Sequence, residues 1–230
     1  MGLICKPMAT SRTYGEACGI PRALDRVGER WALLVVRELM LGPKRFTDLK
    51  AGLSHASPNV LAQRLRELEH AGVVRKRRLP PPAASQVYEL TDWGRELEPV
   101  LVALGRWGAR APLDPACMGM SVDSHVVSLA TLFDPALAGD FEASLELRMG
   151  EDVFRAVIAG GEIDAGHGAP PSPDAVLTLE PGTLLALIHG EIAVADALDS
   201  GALALEGDRA KVERFVGLFP MPEPAALPVA

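Results

Sequence analysis

Hydrophobic residues in the first part of the chain recur with the spacing of helices. Apolar positions separated by three, four and one residues predict an amphipathic helix over residues 24–39, and a shorter helix follows over 45–53. Ser57 and Pro58 supply a capping residue and a first-turn proline, so a third helix is predicted over 57–70. A short second helix followed across a tight turn by a capped third helix is the arrangement of a helix-turn-helix.

The pattern changes to that of a hairpin after the third helix. Residues 73–79 and 86–90 have β-type composition and flank a proline-rich tip at 80–85, which predicts a two-stranded wing. Thr91 then caps the last helix of this region. The order helix, helix, helix, hairpin, helix predicts a winged helix-turn-helix domain over residues 1–110.

Two prolines within residues 108–115 predict a break between two domains. The second half mixes helical and alternating patterns and predicts a domain of the α+β class over residues 116–220, followed by a proline-rich disordered tail over 221–230. Its predicted strands are residues 141–148, 153–158, 162–164, 174–179 and 202–206. Its predicted helices are residues 123–133, 183–189, 193–200 and a last helix from Asp208.

Charge divides the chain at the same place. Residues 1–110 carry 18 Lys and Arg against 11 Asp and Glu, whereas residues 111–230 carry 5 against 19, within a net charge of −7 for the whole chain. A basic half attracts a polyanion such as double-stranded DNA, and an acidic half is repelled by one. Because no apolar run could span a membrane, no secretory signal is evident and three cysteines are widely spaced, we expect a cytoplasmic protein that does not enter membranes.

The third helix carries residue types that bind DNA bases. Its inward sector on a helical wheel holds Leu61, Leu65 and Leu68. The opposite sector holds amide and arginine side chains, which match adenine and guanine edges respectively. The candidate base contacts are Ser57, Asn59, Gln63 and Arg66. Any exposed helix face is polar, so it is the basic hairpin directly after this helix that favours DNA. The candidate contacts to the phosphate backbone are Lys44, Arg45, Arg64, Arg75, Lys76, Arg77 and Arg78.

Several segments resemble the HxlR family of winged-helix regulators in order and spacing. They are Cys18 and residues 23–31, 42–49, 57–65 and 87–91. The resemblance covers about residues 14–110 and implies a homodimer on an inverted-repeat operator, with the first and last helices of the domain at the interface. Val100, Leu104 and Trp107 agree with such an interface, because they offer more apolar surface than one small wing could bury. The apolar tip at residues 80–84 departs from the family pattern.

Cys18 has two interpretations. Arg22 and Arg26 follow it at one to two helical turns, and cationic neighbours lower the pKa of a thiol. This arrangement favours a sensor of oxidants or electrophiles, a role that the resemblance also implies. Alternatively, Cys18 is a small buried apolar residue at the dimer interface.

The second half resembles a sterol carrier protein-like domain. The resemblance lies in residues 174–179, 184–190, 195–201 and 205–208. It implies a sheet covered by helices, with an apolar tunnel that would receive a small apolar effector. The predicted lining is Leu184, Leu187, Ile188, Ala195, Leu198, Phe215 and Phe219. The alternative for each of these residues is that it belongs to the core.

No enzymatic motif is evident. The five histidines are scattered, no paired-cysteine or His-Glu-x-x-His motif occurs, and the glycines at 160–161 and 166–168 are interpreted as hairpin and loop positions. We therefore predict no catalytic residue, no metal site and no cofactor. Two functions remain open: a ligand-responsive DNA-binding regulator, or a carrier of lipids or apolar metabolites whose winged helix serves only dimerisation. The polar face of the third helix favours the regulator, since a carrier has no use for it.

Overall fold

A computed structural model describes residues 13–81, 84–112 and 119–226. Parts of the predicted wing tip, of the linker between the domains and of the tail lie outside the described residues, as do Cys5 and Cys117. The chain is of mixed α and β composition, and the helices and strands fall into an N-terminal and a C-terminal group.

The N-terminal group holds six helices and one hairpin among the described residues. They are α1 (Gly19–Val27), α2 (Ala32–Met40), α3 (Phe46–Gly52), α4 (Pro58–His70), β1 (Val74–Arg78), β2 (Gln86–Leu90), α5 (Asp92–Arg95) and α6 (Glu98–Gly108). The second and third predicted helices and the wing are confirmed. Caps fix the boundaries: the Ser57 hydroxyl accepts from the Val60 N–H, and the Thr91 hydroxyl accepts from the Gly94 N–H and donates to the Gly72 carbonyl.

Two predicted continuous helices are each divided in the structure. The helix predicted over 24–39 breaks after α1, where Trp31 adopts a φ of 77°, a left-handed conformation that cannot continue an α-helix. The guanidinium of Arg30 lies 5.3 Å from the centre of the Trp31 ring in this turn. The helix predicted from Thr91 breaks into α5 and α6 because Pro99 has no N–H and is tolerated only in a first turn. Both predictions of one uninterrupted helix were wrong.

The C-terminal group is a five-stranded mixed sheet with helices. Its elements are α7 (Val122–Leu132), α8 (Pro135–Ala138), β3 (Ala143–Met149), β4 (Asp152–Ala159), β5 (Glu162–His167), β6 (Ala175–Leu179), α9 (Pro181–Ile188), α10 (Val194–Asp199), β7 (Leu203–Gly207) and α11 (Arg209–Val216). The strand order is β5-β4-β3-β6-β7, with β3 and β6 parallel and the other neighbours antiparallel. Each predicted strand and helix of this half is present.

Two details of the second half differ from the sequence prediction. Gly160 and Gly161 do turn the chain between β4 and β5, both with positive φ, as a two-residue hairpin requires. However, β5 continues to His167, so Gly166 and His167 are strand residues rather than loop residues. The short helix α8 was not predicted; Asp134 caps it by accepting from the Ala136 N–H.

Helix α7 joins the two groups. It packs against α2 and α6 on one side and against α9 and β5 on the other. Gly105 of α6 permits this approach, because a Cβ there would lie 2.8 Å from Cγ2 of Thr131. Leu41 and Ala109 of the N-terminal group pack against the core of the C-terminal group. The two groups therefore share an interface with both apolar and, as described below, buried polar contacts.

Candidate nucleic-acid interface

Helix α4 turns its leucines inward and its polar residues outward. Leu61, Leu65 and Leu68 are at most 1% exposed, as the helical wheel predicts. Asn59, Gln63 and Arg66 lie on the exposed side. Arg66 donates to Oε1 of Gln63 at 2.6 Å, and Nε2 of Gln63 donates to Oε1 of Glu67 at 2.6 Å. The outer face of α4 is thus a row of exposed donors and acceptors.

Arg64 does not share this face. Its side chain is only 15% exposed and its guanidinium lies against Glu67 and, at 3.5 Å, against Glu29 in the turn between α1 and α2. An arginine held by two carboxylates inside its own domain is poorly placed to contact a phosphate. In the single chain Arg64 instead links α4 to the turn before α2, which does not support the predicted phosphate contact.

The arginines of the wing are organised by one carboxylate. Glu89 of β2 is 5% exposed and accepts from Nε of Arg75 at 2.7 Å and from Nε of Arg77 at 2.8 Å. Burial by itself raises the pKa of Glu89, but the two arginine hydrogen bonds outweigh it and hold the pKa below its usual range. Both arginines remain about half exposed. Glu89 therefore fixes the direction of Arg75 and Arg77 and leaves the rest of each guanidinium accessible.

Further cations lie around the base of the wing. Lys76 pairs with Glu69 of α4 at 3.0 Å, which raises the pKa of the lysine, and its ammonium lies 5.5 Å from the centre of the Tyr88 ring. Arg45 precedes α3 and donates to Oγ of Ser85 at 3.0 Å. Arg78 is exposed at the end of β1. The wing is thereby attached to α3 through Arg45 and to α4 through Lys76.

Lys44 lies elsewhere. Its side chain is 13% exposed, and its ammonium contacts Glu38 at 2.8 Å and Asp123 of α7 at 3.0 Å. Lys44 therefore lies between the two groups of elements, with little of its side chain left exposed for a phosphate. Buried ammonium groups need such partners because the loss of water is otherwise unfavourable.

Glu38 is the centre of this buried polar contact. It is 0% exposed and also accepts from Arg37 at 2.9 Å and from the hydroxyl of Ser121 at 2.7 Å. Burial by itself raises the pKa of Glu38, but the Lys44 and Ser121 hydrogen bonds and the nearby cations outweigh it and lower the pKa. The pKa of Asp123 is lowered in the same way, against burial, by His167 and Lys44. Both carboxylates are accordingly charged in the folded protein.

The C-terminal group contains an open cleft of about 570 Å³ between the α9–α10 connection, α11 and the segment after it. Four of the predicted lining residues are there: Leu187, Ile188, Ala195 and Phe219. Leu184 and Phe215 belong to the core instead, and Leu198 packs at its border. These three residues are not in the wall of this cleft, because helical periodicity marks the buried side of a helix but not which part of it faces a cavity. His189 and Glu213 add polar groups to an otherwise apolar wall.

The segment after α11 folds back onto the N-terminal group. Pro220 and Met221 line the cleft, and Arg110 donates to the Glu223 carbonyl at 3.0 Å while accepting from the Ala225 N–H at 2.8 Å. As far as the structure describes it, to residue 226, the predicted disordered tail is bonded to the end of α6.

Apolar side chains on α1 and α6 face solvent in the single chain. None of the residues of α6 is buried, and Trp107 is 71% exposed. The exposed large apolar residues of these two helices are Ile20, Leu24, Val100, Leu104 and Trp107. Cys18, at the start of α1, is also exposed, so its role as an oxidant sensor and its burial in a dimer both stay predictions.

Sequence reasoning missed the carboxylates that organise these surfaces. Glu89 stands directly opposite Arg75 in the wing, and an acid opposite a base across two predicted strands was a usable signal. Glu38 is a charged residue within the apolar stripe of α2, and this was a second usable signal in the sequence. Asp123 and His167, 44 residues apart with ring and carboxylate at 3.0 Å, carried no signal before the fold was known.

Across the described residues, no cluster of three or more potential metal-ligating acid, histidine or cysteine side chains occurs. No helix there combines the length and apolar character that crossing a bilayer demands.

Comparison with known proteins divides the chain at the same place as the structure. Residues 26–113 match the HxlR-like helix-turn-helix family. YvaP of Bacillus subtilis (strain 168), an uncharacterized HTH-type transcriptional regulator, is 38% identical over 95 residues, which cover 41% of this chain and 87% of that protein. The structure of the reduced form of the transcriptional regulator YodB from B. subtilis is 32% identical, covers 41% of this chain and 94% of that one, and has a TM-score of 0.37.

Residues 115–225 match a different family, the alkyl sulfatase C-terminal domain. The sec-alkylsulfatase Pisa1 from Pseudomonas sp. is a solved structure with 20% identity and a TM-score of 0.42 that covers 44% of this chain. This chain spans only 16% of the length of that enzyme. The match is thus to the C-terminal domain family and not specifically to sterol carrier proteins.

Proposed function

Since the chain belongs to the HxlR-like helix-turn-helix family and is a transcriptional regulator, we propose that it binds an inverted-repeat DNA operator as a homodimer and that a small apolar effector in its C-terminal domain modulates this binding. The observation that carries the proposal is the outer face of α4 next to a wing whose arginines are held in place by Glu89. A basic N-terminal half and an acidic C-terminal half favour DNA as the partner of the first only.

In the proposed complex α4 enters the major groove. Ser57, Asn59, Gln63 and Arg66 contact base edges, and the backbone N–H groups at the start of the helix favour a phosphate. The contacts to the phosphate backbone come from Arg45, Arg75, Lys76, Arg77 and Arg78. Arg64 and Lys44 are left out of this set because both are paired inside the protein with side chains only 15% and 13% exposed, whereas the paired cations of the wing keep a larger exposed fraction.

Two substitutions in α4 test the base contacts. Arg66→Ala and Gln63→Ala are each expected to relax specificity at one operator position, with a loss of about 1–3 kcal/mol of discrimination, because a side chain that pairs with a base edge carries energy of that size. The measurement is selection of bound duplexes from a random pool by parent and variants. Arg148→Ala, which removes an exposed arginine of the sheet, is the matched control. Unchanged preferences in both α4 variants would remove these side chains from the interface.

The second proposed interface is between two copies of the chain. Helix α6 has no buried residue in the single chain although much of its surface is apolar, and α1 buries only Val27. Val100, Leu104 and Trp107, exposed at helical spacing on α6, form apolar surface of the kind that marks interaction sites. A second copy is the partner that the two-fold symmetry of an inverted repeat requires.

The proposed effector site is the cleft at α9, α10 and α11. Its volume of about 570 Å³ lies within the usual range for small-molecule sites, and its wall is apolar with few polar groups. The sterol carrier protein-like interpretation of this domain belongs to the same proposal: a non-catalytic domain that binds an apolar molecule. Because the same chain is proposed to bind DNA, a ligand in the cleft is interpreted as an effector of that binding rather than as a transported molecule.

An apolar ligand in the cleft is expected to raise the melting temperature. At about a hundredfold excess over Kd the gain is about 2.7 kcal/mol, or roughly 5–10 °C for a chain of this size. Medium- and long-chain alcohols and fatty acids serve as probes. Ala195→Trp fills the cleft and should abolish the shift, whereas Ala204→Trp, on the exposed part of β7, should keep it. No shift with any probe, or equal shifts in both variants, would count against the site.

A further inference from the structure

The contact between Lys44 and Asp123 lies where the two groups of elements meet. The Lys44 ammonium bridges Glu38 of α2 and Asp123 of α7, and all three side chains are nearly or fully buried. Gly52, at the end of α3, leaves the space that the Glu38 carboxylate occupies, and Ser121 and Ser124 donate to that carboxylate from the start of α7. These hydrogen bonds fix α7 on the helix-turn-helix.

The backbone of Lys44 belongs to the wing. Its N–H donates to the Tyr88 carbonyl at 3.0 Å, and its carbonyl accepts from the Tyr88 N–H at 2.8 Å. The next residue, Arg45, donates to Ser85 near the wing tip and caps α3. A shift of Lys44 therefore displaces β2 and the start of α3 together.

The other side of α7 belongs to the C-terminal domain. Oδ2 of Asp123 lies 3.0 Å from Nε2 of His167, whose ring stacks on Phe154 with centroids 4.5 Å apart. Helix α7 also packs against α9, which carries Leu187 and Ile188 of the cleft. Asp123 thus contacts the sheet of the C-terminal domain through His167 and the wing of the N-terminal domain through Lys44.

We infer that the C-terminal domain sets the position of the wing through Asp123 and Lys44, which makes Lys44 a positioning residue for DNA binding. The expected effect on DNA affinity rests on the proposed function, whereas the coupling between the C-terminal domain and the wing does not. Loss of the Asp123 carboxylate releases Lys44 from α7, lets the wing hairpin open more often and weakens DNA binding, although Asp123 lies in the other domain.

The test is hydrogen exchange on the full-length Asp123→Asn variant without DNA. Amides of residues 84–90 are expected to exchange about tenfold faster than in the parent, the effect of losing one charge-assisted hydrogen bond. Asp164→Asn is the matched control. It breaks the ion pair between Asp164 of β5, the strand that holds His167, and Arg155 of β4, and should leave the wing unchanged. Unchanged wing exchange in Asp123→Asn, or equal acceleration in both variants, overturns the inference.

Salt dependence of DNA binding separates positioning from phosphate contact at Lys44. The probe is duplex DNA from upstream of the protein's own gene. Lys44→Met and Asp123→Asn are both expected to weaken binding to it about tenfold. The slope of the logarithm of the binding constant against the logarithm of the salt concentration should stay unchanged. A slope lowered by about one unit in Lys44→Met alone would indicate a lost phosphate contact and overturn the inference. If the parent binds no duplex, the proposed function fails, and the exchange measurement still decides whether the two domains are coupled.

Discussion

Replacing Leu104 with glutamate is expected to convert the proposed dimer into a monomer and to weaken operator binding by about a hundredfold or more. Leu104 lies on the exposed apolar side of α6, between Val100 and Trp107 at helical spacing. A carboxylate there would be buried against a second copy without a partner. Two linked half-site contacts bind about 10²–10⁴ times more tightly than one, so loss of the dimer removes that advantage.

Light scattering after size exclusion gives the mass, and fluorescence anisotropy gives the DNA affinity. Leu137→Glu places the same charge at a similarly exposed leucine of α8 and is expected to change neither quantity. A Leu104→Glu protein that stays dimeric at the concentrations of the parent would show that α6 is not at the interface.

Replacing Glu38 with alanine is expected to lower the free energy of unfolding by about 3–5 kcal/mol, because removal of one partner from a buried ion pair leaves the others uncompensated. The Lys44 ammonium, the Arg37 guanidinium and two serine hydroxyls all lose an acceptor. For a chain of this size the melting temperature should fall by roughly 6–20 °C. Calorimetry on the full chain measures it.

Glu29→Ala is the matched control, since Glu29 is 65% exposed and pairs with Arg64 only at 3.5 Å. Its effect should stay within about 0.5 kcal/mol. The pKa of Glu38 is lowered, so its stabilisation is present above the ordinary carboxyl range and is lost as the pH falls through the lower pKa of the folded state. The difference between parent and Glu38→Ala should therefore shrink below about pH 4. Equal melting temperatures for parent and Glu38→Ala at neutral pH would contradict the account.

The amino-acid pattern was sufficient where a residue's role depends on its own helix or strand. The leucines of α4 and the capping serine are examples, since periodicity and hydrogen-bonding capacity decide both. It was insufficient for Trp31, where the apolar spacing continues through a left-handed turn and only tertiary packing makes the break favourable.

The same limit applies to two of the predicted DNA contacts. Lys44 and Arg64 have the residue type and the chain position of phosphate contacts, yet each finds carboxylates within the protein. The partner of Lys44, Asp123, comes from another domain 79 residues later in the chain. A paired basic residue of a helix-turn-helix is available to DNA only if its side chain stays exposed, as in Arg75 and Arg77, and that depends on the complete fold.

The most direct test of the central claim is fluorescence anisotropy of the purified full-length protein on duplex DNA from upstream of its own gene, compared with a scrambled duplex at two salt concentrations. We expect tighter binding to the native duplex and an affinity that falls as salt rises, because the cations of the wing and Arg45 replace counterions on the phosphates. Failure to bind either duplex at low salt would contradict the central claim and would favour a carrier of apolar molecules whose winged helix only joins two copies of the chain.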